Sequence, residues 1–188
     1  MNRASLYQRC LGAAFETLPS EVQAFHALRG CHCLSGQVSI RGAESRIGTL
    51  LAKVMGFPGA APAQPFAFLL SAQSDAETWT RLFPTRRMTS RLSQRSGFLS
   101  ERLGPVTLWF TLEGGPKGLV MHLKRISCLG VSVPAFAMPR VRAVESGSEG
   151  RFRFDIEAHW PRSQLIVSYS GWLALPRGEN DGGSRIRC

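Results

Sequence analysis

Two carboxylates in the C-terminal third of the sequence are the first candidates for chemistry. Glu145 and Asp155 would lie side by side if residues 139–146 and 150–160 form a hairpin of two strands. Two carboxylates held close together can act as a general acid and a general base. Carboxylates on the wet face of a sheet more often pair with arginine, which is abundant here, at Arg140, Arg142, Arg151 and Arg153. We therefore favour salt bridges over catalysis for these two residues.

Histidine and cysteine are the next residue types that can supply a base, a nucleophile or a metal ligand. His26 falls on a predicted helix beside Phe25 and is better explained by packing. The cluster Cys31-His32-Cys33 lacks a second pair of ligands at the spacing that a zinc site requires, so we interpret it as the start of a strand. No G-x-S-x-G elbow, P-loop or G-x-G-x-x-G motif occurs in the sequence. The sequence thus indicates neither a metal nor a cofactor.

Aromatic residues on predicted strands offer a different chemistry, the binding of a small molecule. Trp79, Trp109, Tyr169 and Trp172 all fall in alternating segments. In a sheet curved around helices, such side chains line a pocket with an apolar body and a polar tip. The alternative, that each ring simply fills the core, is the better interpretation for any one of them. The candidate ligand-binding residues are Trp79, Arg81, Arg87, Ser90, Glu101, Trp109, Arg140, Tyr169 and Trp172.

Segments of alternating sequence supply the strands that would position these residues. In residues 151–160 the apolar Phe152, Phe154 and Ile156 alternate with charged side chains, which is typical of a strand with one dry and one wet face. Further strands are predicted at CLSGQVSIR, FAFLLSAQ, TWTRLFP, RRMTSRLS, GFLSERL, PVTLWFTLE, GLVMHLKRI, PRVRAVE and QLIVSYSGWL. Short strands joined by tight turns indicate an antiparallel meander rather than a parallel sheet with crossover helices.

Helices are predicted mainly in the N-terminal third. Residues 4–18 carry apolar side chains at helical spacing, and Ser20 begins a second short helix with the pattern of a capping box. Residues 43–55 form an amphipathic helix that should cover the sheet or plug one end, and a loop follows over residues 56–65. We predict an α+β fold in which a strongly curved antiparallel sheet, barrel-like in shape, packs against the N-terminal helices.

Length and composition are those of one folded domain. The chain has 188 residues, 44% of them hydrophobic, which is enough to bury a core. We expect a single α+β domain over residues 1–176 and a disordered tail over residues 177–188. The N-terminus lacks the apolar stretch of a secretory signal, and the odd number of cysteines, five, favours reduced thiols over a disulfide framework. Both features lead us to expect a cytoplasmic protein.

The net charge of +10 favours an anionic partner, such as an anionic lipid, a membrane surface or an acidic ligand. Six arginines lie between Arg81 and Arg102, and in strand geometry Arg87, Arg91 and Arg95 share a face. A solvated outer face is the favoured interpretation of these arginines, and an anion-binding patch is the second. Nucleic acid is a weaker expectation, because no recognised nucleic-acid motif supports it.

The order of several motifs along the chain also carries information. The segments are LYQRCLGAAFETLPSEVQAFH, ETWTRLF, RRMTSRL, SERLGPVTLWFTLE, PRVRAVE, GRFRFDIE and SYSGWL. From Leu6 to Leu175, their order and spacing resemble the domain-of-unknown-function family 4166, an uncharacterised bacterial domain. This family also occurs fused to an NAD-dependent, saccharopine-dehydrogenase-like reductase, so the resemblance implies a separately encoded reductase as a partner. It implies no activity and no site.

Three functional hypotheses follow from the sequence. The first is a non-enzymatic module that binds an apolar or amphipathic, lipid-like small molecule in a pocket of the curved sheet. The uncharged segment 128–139 fits this hypothesis, as either a buried crossover or an apolar flap over a pocket or a membrane surface. The second is an enzyme or accessory domain that works with the reductase. The third is an anion or nucleic-acid binder that uses the basic segment Arg81–Arg102.

Overall fold

A computed structural model of the chain describes residues 4–54, 56–160 and 164–176, so the tail predicted over residues 177–188 lies outside it. The helices are α1 (Leu6–Leu11), α2 (Ser20–Ala27) and α3 (Arg46–Val54), with 3-10 helices at Gly12–Thr17 and Ala135–Ala137. The strands are β1 (Gly30–Arg41), β2 (Ala61–Ala72), β3 (Ala76–Leu82), β4 (Arg87–Arg95), β5 (Phe98–Leu103), β6 (Val106–Gly115), β7 (Gly118–Cys128), β8 (Val131–Ser132), β9 (Arg140–Ser148), β10 (Arg151–His159) and β11 (Leu165–Ala174).

The sheet closes on itself as a barrel of ten antiparallel strands. Strands pair in chain order from β1 to β7, then through β9, β10 and β11, and β11 pairs back with β1. The two-residue strand β8 adds to the end of β7. Closure directs every second side chain of each strand into the interior. The predicted α+β class and the strongly curved antiparallel meander are confirmed.

Connections between strands divide the barrel into two ends. One end, called the closed end below, carries the turns at residues 73–75, 96–97, 116–117 and 149–150. The other, called the open end, carries the connections at residues 83–86, 104–105 and 129–139 and the segment that contains α3. Because neighbouring strands are antiparallel, this division holds around the whole ring.

The N-terminal helices block the closed end. α1 begins with a capping box in which the Ser5 hydroxyl accepts from the Gln8 N–H and the Gln8 side chain accepts from the Ser5 N–H. Arg9 donates to the Ser74 carbonyl in the β2–β3 turn, and Glu21 accepts from a backbone N–H of the β9–β10 turn. The inward side chains of both helices complete the barrel core: Leu6, Tyr7, Val22 and Phe25.

Two details of the N-terminal prediction are wrong. The helix expected over residues 4–18 is divided, because α1 ends at Leu11 and a 3-10 helix follows from Gly12, whose φ is +57°. The capping box expected at Ser20 does not form, since the N-cap of α2 is Pro19 and no side chain caps it. Apolar spacing over a few residues does not distinguish an α-helix from a 3-10 helix, and local packing decides between them.

α3 lies at the open end beside the start of β11. The Glu44 N–H donates to the Leu165 carbonyl, and the Leu165 N–H donates to the Glu44 carboxylate. The helix predicted over residues 43–55 is present as Arg46–Val54, while residue 55 lies outside the described residues. The loop predicted over residues 56–65 is wrong in its second half, because β2 begins at Ala61 and pairs with β1 across a bulge. That pairing depends on a neighbouring strand and is invisible in the local sequence.

The cysteines match the sequence prediction only in part. Cys31 and Cys33 lie at the start of β1, as predicted. Cys10, Cys33 and Cys128 are free, but Cys31 is disulfide-bonded, so the expectation of reduced thiols is wrong at this residue. A disulfide depends on which sulfur atoms the fold brings together, and the number of cysteines does not determine that.

Candidate ligand-binding site

An internal cavity of about 260 Å³ lies within the barrel and extends toward the open end. Its wall is apolar and is built from inward-facing side chains of several strands, among them Leu103, Leu108, Phe110, Met121, Ile156 and Val167. The alternation in the sequence accounts for this wall, because every second residue of a barrel strand points inward.

Polar side chains meet on the side of the cavity that faces the closed end. Arg81, Glu101, Glu145 and Tyr169 line it there, together with the ring of Trp79. We call these five buried residues the polar floor. They come from β3, β5, β9 and β11, so only closure of the barrel brings them together.

Arg81 of the polar floor has partners on the next two strands, β4 and β5. Its Nη1 donates to the Ser90 hydroxyl at 3.1 Å, and its Nη2 lies 3.4 Å from Glu101 Oε1. The guanidinium lies 5.4 Å from the centroid of the Trp79 ring, within cation–π range. Burial lowers the pKa of Arg81, but Tyr169 and Glu101 outweigh burial and raise it above its ordinary value. The group therefore stays cationic inside the barrel.

Glu145 of the polar floor contacts a buried histidine of helix α2. Its Oε2 lies 2.6 Å from His26 Nε2, and neither side chain is appreciably exposed. The His26 ring stacks on the Tyr7 ring with centroids 3.6 Å apart. His26 Nδ1 and the Tyr7 hydroxyl are buried without a hydrogen-bond partner in the described part of the chain. The N-terminal helices thus set the position of Glu145.

A third carboxylate, Glu77, lies beside the polar floor and accepts from Trp79 Nε1 at 2.9 Å. Burial raises the pKa of Glu77 above its ordinary value of 4.5, although His26 and the bond from Trp79 act in the opposite direction. Burial also raises the pKa of Tyr169 above its ordinary value of 10.0, against the effect of Arg81. Both shifts favour the neutral forms, which can donate hydrogen bonds.

The structure divides the predicted ligand-binding residues into two sets. Trp79, Arg81, Glu101 and Tyr169 line the cavity, and Ser90 binds Arg81 from behind. The remaining four lie away from the cavity lining: Arg87, Trp109, Arg140 and Trp172. Both outer tryptophans lie beneath arginine side chains, at 4.7 and 4.2 Å from ring centroid to guanidinium carbon.

Glu145 belongs to the cavity, although the sequence analysis favoured a wet sheet face for it. In the β9–β10 register Glu145 lies opposite Phe154, an inward-facing residue. Asp155 therefore points outward, where it lies 3.6 Å from Arg142, so the salt-bridge interpretation is correct for Asp155 alone. The carboxylate pair does not form. The sequence did indicate the inward direction of Glu145. Glu145 follows Ala143 by two residues, so both side chains lie on the same, apolar face of the strand.

Residues 128–139 cover the cavity at the open end. Val133 and Ala137 of this segment line the cavity. Leu129 and Phe136 point away from it and are exposed. Of the two interpretations that the sequence left open, this exposure favours an apolar flap over a buried crossover.

A known protein family matches nearly the whole barrel. Residues 18–173 match the family described as domain of unknown function DUF4166. The chain belongs to this family. The matched range includes every residue of the polar floor and His26, while Tyr7 precedes it. No functionally curated protein matches this DUF4166 chain.

The helices in the described part of the DUF4166 chain are all short. None of its helices combines the length and the apolar character that a membrane span requires. Its longest helix, α3, has nine residues, against roughly 20 for a span.

Proposed function

We propose that this DUF4166 barrel binds an apolar or amphipathic small molecule in its internal cavity. The observation that carries the proposal is the cavity of about 260 Å³, with an apolar wall and polar groups gathered on one side. Ligand pockets in proteins typically combine an apolar lining with a few converging polar groups. This lining favours an occupant whose apolar part contacts the wall and whose polar head contacts the polar floor.

The volume of the cavity limits the size of the ligand. Pockets for drug-sized molecules measure about 300–1,000 Å³, and this cavity lies just below that range. A single alkyl chain or a small ring system is compatible with such a volume. A phospholipid with two acyl chains would extend well beyond it.

The charges of the polar floor favour an uncharged head group. Arg81 is matched by Glu101, and Glu145 is matched by its hydrogen bond to His26. A charged head group in a poorly hydrated interior requires an opposite charge that is not already matched. A hydroxyl or carbonyl group requires only a hydrogen-bond partner, which Tyr169 or Arg81 can supply.

Extraction and titration experiments test the ligand class. Native mass spectrometry and organic extraction of the purified protein should recover a bound molecule with one apolar chain or ring system. Calorimetry with decanol, decanoic acid and decylamine, which share one alkyl chain, then isolates the head group. We expect decanol to bind most tightly. Tighter binding of the acid or the amine would contradict the head-group argument, and failure of all ligands and of extraction would contradict the proposal.

A pair of variants on one strand tests the location of the ligand. Ala143 points into the cavity, and its neighbour Val144 points to the outer face of β9. Ala143→Phe should fill the cavity and abolish decanol binding, whereas Val144→Phe should leave binding unchanged. Circular dichroism checks that both variants fold. Equal affinities of the two variants would place the ligand elsewhere.

A second candidate function is an enzyme, or an accessory domain that works with a separately encoded NAD-dependent reductase. It is supported by the convergence of Glu101, Glu145 and Tyr169 on one cavity, since buried titratable groups in a pocket can transfer protons. Incubation of the extracted ligand with the protein and with Glu145→Gln, followed by mass spectrometry, tests it. Conversion by the unmodified protein alone would support catalysis, and an unchanged ligand in both samples would count against it.

A further inference from the structure

Exposed apolar side chains are concentrated at the open end. Among the described residues, four large apolar side chains are exposed: Phe136 by 84%, Leu129 by 81%, Val131 by 72% and Leu50 by 62%. The first three belong to the segment that covers the cavity, and Leu50 lies on α3 at the same end. Single exposed apolar residues are ordinary, but a group of them in one region marks a contact surface.

Leu129 has a backbone conformation that leucine rarely adopts. Its φ is +51° in the tight turn between β7 and β8, and the next residue, Gly130, has a φ of +83°. Glycine or asparagine is favoured in this left-handed region, because a bulkier side chain crowds the backbone there. The Leu129 side chain is mostly exposed, so packing within the protein does not explain the choice of leucine. A strained position with an exposed apolar side chain points to a contact outside the chain.

A groove lined with arginines extends from Leu129 along the outer face of β4 to β7. Arg91 of β4 lies directly opposite Arg102 of β5, and like charges at such positions destabilise a sheet. Neither arginine forms a salt bridge within the described ranges. Arg125 adds a third positive charge over the ring of Trp109. A bound anion would relieve the repulsion between these groups.

We propose that the open end docks on a membrane surface that contains anionic lipid. Leu129, Val131 and Phe136 enter the boundary between head groups and acyl chains, and the arginines of the groove bind lipid phosphates. The two features adjoin, since Leu129 belongs to both. Docking places the covered end of the cavity against the bilayer. This inference goes beyond the proposed function and does not depend on what the cavity binds.

Nucleic acid is the other macromolecule to which an arginine groove is suited, and two observations favour the membrane. The aromatic ring that lines the groove, Trp109, already lies beneath Arg125 and is not free to stack on bases. Leu129 and Phe136 gain nothing from a phosphate backbone, whereas burial in a bilayer removes their apolar surface from water. The groove lining also includes an acidic residue, Asp75. It lies at the closed end, away from Leu129 and the proposed contact, and accepts a hydrogen bond from Ser74.

Co-sedimentation of the full chain with large vesicles tests the docking surface. One set of vesicles is pure phosphatidylcholine, and the other is an equal mixture of phosphatidylcholine and phosphatidylglycerol. Phe136→Ser and Leu129→Asn remove apolar contacts, and Asn suits the backbone of the Leu129 turn. Arg102→Gln removes one charge of the groove. Lys117→Gln, in the β6–β7 turn of the closed end, removes one charge as the matched control.

We expect binding to the mixed vesicles, weak binding to pure phosphatidylcholine and release at high salt. Arg102→Gln should lower the partition coefficient about fivefold. Phe136→Ser should lower it about tenfold, and Lys117→Gln should leave it unchanged. Equal partition coefficients for all variants, or no binding to the mixed vesicles, would overturn the proposal.

Two further measurements separate the alternatives. A duplex or single-stranded oligonucleotide that binds more tightly than the vesicles, with Phe136→Ser unaffected, would overturn the membrane in favour of nucleic acid. Ala143→Phe, which fills the cavity, should lose ligand binding and keep vesicle binding. A loss of both would show that docking depends on the cavity and would overturn the independence of the two surfaces.

Discussion

The two ends of the barrel differ in whether their apolar and charged side chains have partners within the described part of the chain. At the closed end, helices α1 and α2 bury their apolar faces, and Arg9 and Glu21 bond backbone groups of the turns below them. At the open end Phe136 is exposed, and on the outer face that leads to it Arg91 faces Arg102 across neighbouring strands. Exposed apolar groups add nothing to folding stability, and opposed like charges lower it. The closed end therefore contributes to folding stability, whereas the open end carries the surface that we propose as a membrane contact.

The polar floor of the cavity belongs structurally to the closed end. His26 on α2 holds Glu145, and the Tyr7 ring on α1 stacks on His26. The wall near Val133 and Ala137 belongs to the open end. A ligand in the cavity would thus lie between a rigidly supported floor and a cover formed by one connecting segment.

The largest expected difference between the ends concerns stability. Phe25 is buried at the closed end, with its ring centroid 4.0 Å from that of Phe152. Phe25→Ala should lower the free energy of unfolding by about 3–5 kcal/mol, because a cavity replaces the ring. Phe136→Ala should change it by less than about 0.5 kcal/mol. Urea denaturation measures both, and similar losses would refute the division of roles.

The next prediction compares the two faces of the β9–β10 hairpin. His26→Leu should lower the free energy of unfolding by about 3 kcal/mol, because it leaves the Glu145 carboxylate buried without its partner. Arg142→Leu breaks the exposed pair with Asp155 and should cost less than about 1 kcal/mol. Thermal denaturation gives the two values. If Arg142→Leu were the more damaging, the interior placement of Glu145 would be wrong.

The protein should become more stable when the Leu129 side chain is replaced by one that suits the backbone of this turn. Leu129→Asn should raise the free energy of unfolding by about 1 kcal/mol, since asparagine tolerates a positive φ better than leucine does. Leu129→Ala keeps a Cβ in the same conformation and should leave stability nearly unchanged. Denaturant titration of the two variants checks this. A destabilised Leu129→Asn protein would mean that leucine is there for the fold.

The smallest effect is a dependence on pH at the closed end. Because burial raises the pKa of Glu77 in the folded protein, the protonated form stabilises the fold fully below the ordinary pKa of 4.5. That contribution is lost as the pH rises through the folded pKa. Glu77→Gln keeps an acceptor for Trp79 without titrating, so its stability should fall less than that of the unmodified protein from about pH 4 to about pH 8.

An exposed carboxylate supplies the control for the pH experiment. Glu16 lies at the surface of the 3-10 helix, and Glu16→Gln removes one negative charge without changing the interior. Urea denaturation at several pH values should separate Glu77→Gln from Glu16→Gln. Parallel curves for the two variants would show that burial of Glu77 has no consequence for stability.

Most of the fold was predictable because strand alternation is a local property. GRFRFDIEAHW and PVTLWFTLE form β10 and β6, with the predicted apolar residues Phe152 and Phe110 inside. The division of the first helix and the start of β2 at Ala61 were missed. Both depend on what packs or pairs against the segment, and short-range spacing does not record that.

The candidate site was predictable only where one strand carried the signal. Arg81 and Tyr169 stood out because each is a polar residue on a predicted strand, within the motifs that resemble the family. Glu145 was interpreted by its arginine neighbours rather than by its face, and His26 by its helix alone. Their contact joins residues 119 positions apart, so no local pattern predicts it.

By itself, the sequence determined the strands, their inward faces, the α+β class and the resemblance to a family, since each of these depends on the spacing of nearby residues. The tertiary structure alone decided that β11 pairs with β1, that the helices block one end, and that apolar side chains are exposed at the other. The physical reason is distance. Hydrogen bonds and ion pairs form over a few ångströms, and the tertiary fold brings Arg81 to Glu101 across β4 and Glu145 to His26 of α2.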